Sequence, residues 1–201
     1  MNRTTVRIGA AAFGLLLFTG LAGTAAAEDE HGNDDVDVSV TIEPIHTPGV
    51  LAMSVAADST SLVENGSDNT ARVFTGALPT VTVTDTRTAD EIPDGAYWYV
   101  LGSVSDFSSP GGEAIGAENL GWSPHLVDGG ESGLVSEGDP VGPVLDGGTG
   151  LVDKELLAMA ADSATVADEG SWTASADLTL KTAPTVEAGT YHATLTLSLF
   201  E

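Results

Sequence analysis

The chain has 201 residues, with 30 Asp and Glu against six Lys and Arg, a formal charge of −24, and no cysteine. Such a surface repels phosphates and anionic headgroups, which excludes nucleic acid and acidic membrane as partners and favours cations, basic proteins or neutral polymers. Without cysteine there are no disulfides, thiol nucleophiles, Cys-based zinc sites or iron–sulfur clusters, so the fold must rest on an apolar core.

The chain opens with a positive stretch at Arg3 and Arg7, an apolar run from Ile8 to Leu21, and small residues at Ala25, Ala26 and Ala27. This order predicts a secretory signal peptide over residues 1–27, removed on export. Its apolar run is shorter than the roughly 20 residues a membrane span needs, so no membrane insertion is expected after cleavage. Residues 28–35 carry five carboxylates and no apolar side chain, which predicts an acidic disordered leader.

From Val36 the pattern has period two. Val36, Val38, Val40 and Ile42 alternate with polar residues and predict a first strand with one wet face, so that order begins at Val36. Further strands are predicted over Val50–Val55, Ala71–Phe74, Pro79–Thr84, Ala96–Ser105, Trp172–Leu180 and Thr190–Phe200. The Ala96–Ser105 run is apolar on both faces, with Tyr97, Tyr99 and Leu101 against Trp98, Val100 and Val104, and is expected to be buried and central. Asp153–Ala161 has Leu156, Leu157 and Ala160 at helical spacing, although a short strand also fits it. Gly-rich turns separate these segments, and Asp128–Gly150 reads as a long loop carrying one weak strand. The expected fold is all-β: a single antiparallel β-sandwich-like domain over residues 36–201 with at most one short helix.

Reactive chemistry is sparse. Gly121-Trp122-Ser123-Pro124-His125 departs from a nucleophile elbow at its last position and reads as a turn in which Trp122 packs and Pro124 sets the backbone. His31, His46, His125 and His192 lack partners at metal-ligand spacing. Acidic residues near Asp34, Asp35 and Asp37, and in the loops at Asp128, Glu131, Asp146 and Asp153, invite a calcium reading, but none forms a calcium-loop motif. No catalytic residue, cofactor or metal is expected.

Four segments, in order, resemble the WxL-domain surface proteins of Gram-positive bacteria. They are Val81-Thr82-Val83-Thr84-Asp85-Thr86-Arg87, Trp98-Tyr99-Val100 running to Ser105-Asp106-Phe107, Glu118-Asn119-Leu120-Gly121-Trp122-Ser123-Pro124, and Ala188-Gly189-Thr190-Tyr191 with the Thr/Leu strand that follows. Val100 stands where the family's name-giving motif has Leu, and the lead-in from Ile92 to Tyr97 is longer than usual. The resemblance implies non-covalent binding to peptidoglycan or another cell-wall glycan, often beside other surface proteins, with Trp98, Asn119, Trp122 and Pro124 as candidate ligand-binding residues. No sortase motif, apolar tail or lipobox cysteine appears in the chain. The expected protein is therefore a secreted, non-catalytic wall-surface binder. The rival expectations are a protein-interaction or adhesion subunit of a surface complex and, less favoured, a wall hydrolase.

Overall fold

A computed structural model describes residues 37–201, so the predicted signal peptide and acidic leader lie outside the described residues. Two units are distinguished, and the compact one spans Ile45–Glu201. In the other, residues 37–44 carry no regular secondary structure, and Val38, Val40 and Ile42 are 90%, 81% and 85% exposed. The strand predicted from Val36 to Ile42 is therefore corrected over residues 37–42, while Val36 lies outside the described residues. Alternation supplies a face to bury, but a strand also needs a neighbour for its backbone groups, and no ladder among the described residues includes these.

Among the described residues ten strands form two antiparallel sheets, as the alternation predicts. The first sheet contains β1 (Leu51–Val55), β2 (Val63–Glu64), β3 (Arg72–Ala77), β4 (Val81–Asp85), β6 (Leu120–Asp128) and β9 (Ser171–Thr182). The second runs in the order β10 (Leu195–Phe200), β5 (Tyr99–Val104), β8 (Glu155–Ala160), β7 (Val135–Glu137). Strand β9 is the axis of the first sheet. Along one edge it pairs with β4 and then with β3, and along the other with β6. Its even-numbered residues from Trp172 to Thr182 all point inward and are buried.

Three tryptophans join the layers. Trp172 of β9 meets Trp98, just before β5, with ring centroids 5.3 Å apart. Trp122 of β6 reaches across to Gly102 of β5. A Cβ there would lie 2.6 Å from the indole and 3.2 Å from Leu197, so the glycine is required by close approach. At the same end of the sandwich as the Trp98–Trp172 pair, Arg87 grips two carboxylates. It donates to Asp85 at 2.9 and 2.7 Å and to Glu201 at 2.7 Å twice. Asp85 ends β4 and Glu201 follows β10, so one guanidinium clasps the first sheet to the second. The Asp85 side chain is fully buried, which makes the clasp obligatory for that carboxylate.

Two further expectations change. The Asp153–Ala161 segment is strand β8, not a helix, because it pairs with β5 on one side and β7 on the other. Sheet pairing overrides its helical spacing. The one α-helix among the described residues lies just beyond, at Ser163–Val166, capped by the Asp162 carboxylate accepting from the Thr165 N–H at 2.9 Å. The segment read as a turn at Gly121–Pro124 is the middle of nine-residue β6. Trp122 turns its N–H and C=O away from β9, toward Val141, so Pro124, two residues on, turns its donor-less nitrogen to that same outer edge. Proline there costs the β9 ladder nothing.

Two outcomes follow from this packing. Gly102→Ala should lower stability by about 1–3 kcal/mol through overpacking against the Trp122 indole, and an unchanged denaturation midpoint would refute that contact. Arg87→Met should cost about 3–5 kcal/mol by stranding buried Asp85, with part recovered when Asp85→Asn is added; chemical denaturation of the single and double variants reads both.

Candidate functional site

The residues singled out from sequence do not form a surface site. Trp98 and Trp122 are 1% and 2% exposed, and Pro124 is buried beside them on the inner face of β6. Neither indole offers a ring face to a sugar. Their Nε1 atoms have no hydrogen-bond partner, whereas that of Trp172 donates to Glu169 at 2.7 Å. Asn119 is half-buried and serves its own turn, its side chain donating to the Gly116 carbonyl at 3.1 Å. These four residues build the inter-sheet core and its approach rather than a contact face.

Three aromatic residues that reach solvent share the outer face of the second sheet, while half-buried Phe74, Phe107 and Tyr191 lie elsewhere. Trp98, Val100 and Val104 point inward, so the Ala96–Ser105 run is interior to its sheet but not buried on both faces: Tyr97, Tyr99 and Leu101 take the outside. Tyr97 is 48% exposed and stacks on Tyr99 with centroids 5.8 Å apart. Tyr99 stacks in turn on Phe200, directly opposite on β10, at 5.3 Å and 17°. The Lys154 ammonium sits 4.9 Å from the Phe200 ring centre. The result is a column of three rings with a cation at one end and an open ring face at the other.

The basic residues make that cation distinctive. Among the described residues Arg72 forms a double hydrogen bond with Glu64, Arg87 holds Asp85 and Glu201, and Lys181 pairs with Asp146 at 2.7 Å. Lys154 is the one basic side chain among them with no carboxylate partner. Its neighbour is the aromatic column.

A second feature lies between the sheets. At the end away from the Arg87 clasp the layers part into a cleft of about 950 Å³, lined by residues such as Met53, Leu62, Phe74, Leu195 and Leu197. Tyr191, whose hydroxyl donates to the Glu187 carbonyl at 3.1 Å, lies on its wall.

Polar chemistry elsewhere is structural. Ser123 and His125 stand exposed on β6 opposite Asp177 and Ser175, with no side-chain hydrogen bond among the four, and the Ser175 hydroxyl donates to the Leu78 carbonyl at 2.7 Å. Among the described residues no group of three or more His, Asp or Glu is placed to hold a metal. Of the acids weighed for calcium, Asp34 and Asp35 lie outside the described residues, Asp128 accepts from the Gly130 N–H, and Asp146 pairs with Lys181. Three of the four family-like segments have an evident physical role. Val81, Val83 and Asp85 face inward, Asp106 accepts from the Ala117 N–H at 2.9 Å, and Trp122 packs on Gly102. The chain matches no protein-family model, no curated protein and no solved structure.

Several carboxylates are held ionised by these contacts. The Thr88 N–H, His46 and the Gly49 N–H bring Glu91 down to about 2, and Arg72 with Ser67 does the same for Glu64. A pKa depressed on folding adds stability above the ordinary carboxylate value, and that contribution is lost as pH falls through the folded value. Glu91→Gln should therefore lower stability near neutral pH, and the difference from the parent should vanish between about pH 4.5 and 2. Comparing variant with parent at each pH cancels the relief of general charge repulsion on acidification. A constant difference across the range would show that Glu91 gains nothing from its charge.

Proposed function

We propose that this is an exported, non-catalytic protein of the bacterial surface that binds cell-wall glycan, with the Tyr97–Tyr99–Phe200 column and Lys154 as its contact face. The observation that carries the reading is the coincidence of exposed aromatic rings with the one described cation left without a carboxylate partner. A pyranose presents a face of polarised C–H groups that suits the electron-rich face of a Tyr ring, while the tyrosine hydroxyls reach for sugar oxygens. Lys154 suits the free carboxylates that peptidoglycan carries on its stem peptides. The surrounding negative surface weakens non-specific adsorption to wall polyanions, leaving recognition to local contacts. The signal-peptide pattern and the four family-like segments point the same way.

The test is co-sedimentation with purified sacculi of a Gram-positive host. The parent should pellet, and Tyr97→Ala combined with Lys154→Ala should raise the half-saturating concentration about tenfold or more, a loss of about 1.4 kcal/mol, without changing the thermal midpoint. Parent protein left wholly in the supernatant ends the proposal, and soluble fragments released from the sacculi would replace it with a hydrolase.

A second reading, a protein-interaction or adhesion subunit, draws on a different observation. Strand β10 is at the edge of its sheet, and no charged or proline residue protects Leu195–Phe200 from pairing with another chain. Crosslinking on intact cells that captures a protein partner, with no retention on sacculi, favours this one.

A further inference from the structure

The apolar cleft and the unpaired strand-like segment at residues 37–43 are complementary, although each belongs to a different unit of the chain. Strands β1 and β10 are both edge strands, and both line the cleft through Met53, Val55, Leu195 and Leu197. The cleft thus opens between two unpaired edges. Beyond its ladder with β5, no backbone hydrogen bond from the described residues reaches β10. An uncharged edge of six residues over an open slot, lined by aliphatic and aromatic side chains together with Asp58, Arg72, Glu187 and His192, is a feature that proteins normally cover.

Residues 37–43 have the chemistry of such a cover. Val38, Val40 and Ile42 fall on one side of an extended chain and Asp37, Ser39, Thr41 and Glu43 on the other. Added to the edge of β10, this strand would turn three aliphatic side chains into the slot and leave two carboxylates and two hydroxyls in water. Seven extended residues span about 23 Å, enough for the whole length of six-residue β10. The compact unit is fastened where it begins: Glu91 accepts from His46 at 3.0 Å and from the Gly49 N–H at 3.3 Å, and Leu51 pairs with Asp85 at the clasped end. Within the Ile45–Glu201 unit, its first residues therefore lie at the clasped end, away from the cleft.

We infer that the cleft receives residues 37–43 of a second copy of this chain, added as a strand to the edge of β10. The contact is heterologous, since each copy donates a segment and offers a cleft. Head-to-tail pairing leaves one of each unused and generates open chains of copies, unless two copies exchange segments and close a dimer. Because every copy is strongly acidic, association should strengthen as salt screens the repulsion. Self-association of this kind is independent of the wall-binding reading, and would multiply the weak wall contacts of single copies.

The absence of native cysteine gives a clean test. Protein produced from the full-length coding sequence and recovered after export is prepared as Val40→Cys and, separately, as Leu195→Cys or Leu197→Cys, and the two are mixed under mild oxidation. A disulfide-linked heterodimer, absent when Thr173→Cys on the outer face of the first sheet replaces the cleft partner, is the expected result. Val40→Asp with Ile42→Asp, both at exposed positions, should shift the light-scattering mass of the otherwise native protein to that of a monomer without lowering its thermal midpoint. Two results overturn the inference: no crosslink above the Thr173→Cys control, or a double-cysteine chain that closes only on itself. The latter would make the occupant the chain's own segment. Sacculus binding by the Val40→Asp, Ile42→Asp variant reads the wall interaction separately, so failure of one proposal leaves the other standing.

Discussion

Asp85 and Arg87 set the terms on which the two sheets meet. A carboxylate with no solvent contact must find its counter-charge within the fold, and the guanidinium that answers it also grips Glu201 on the opposite layer. One buried acid thereby obliges strands far apart in sequence to finish side by side. The Trp98–Trp172 contact fills the space behind this clasp, and Trp122 against Gly102 carries the contact toward the middle of the sandwich. That end is closed by the tryptophans and the clasp, while at the other the layers part over a floor of buried Leu120, Leu178 and Leu180.

Much of this architecture is legible along the chain. The alternation in β4, β9 and β10 names the inward residues directly, and glycine-rich turns separate the strands where expected. Pattern fails where pairing partners decide the outcome. Residues 37–43 alternate as cleanly as any segment of the chain yet take no place in a ladder. Residues Glu155–Ala160 look helical and become a strand because β5 and β7 flank them. Proline in β6 suggests a turn until its nitrogen is seen to face an outer edge. Periodicity describes what a segment has to bury, and the neighbour that buries it is a long-range fact.

The candidate surface divides similarly. Large aromatic residues draw attention in a chain with so few, but burial is the commoner use of tryptophan, and all three are used that way. The exposed column was hidden in the residues beside them. Tyr97 and Tyr99 alternate with Trp98 on the same strand, and the apolar character of both faces made the outer one look like core. Phe200 joins only through the pairing of β10 with β5, and Lys154 only through the fold, so neither contact has a signature in local sequence.

A sandwich fastened at one end and parted at the other is a graded object. Amides of β9 and β5 near the paired tryptophans sit where opening requires global unfolding, whereas those of β10 near Leu195 sit where local fraying suffices, so protection from solvent hydrogen exchange should decline from the clasped end of the sandwich toward the cleft. Anything that fills the cleft then acts on its least protected edge, and its binding free energy adds to the stability of that edge. Rigidity and receptivity are thus assigned to opposite poles of one small domain.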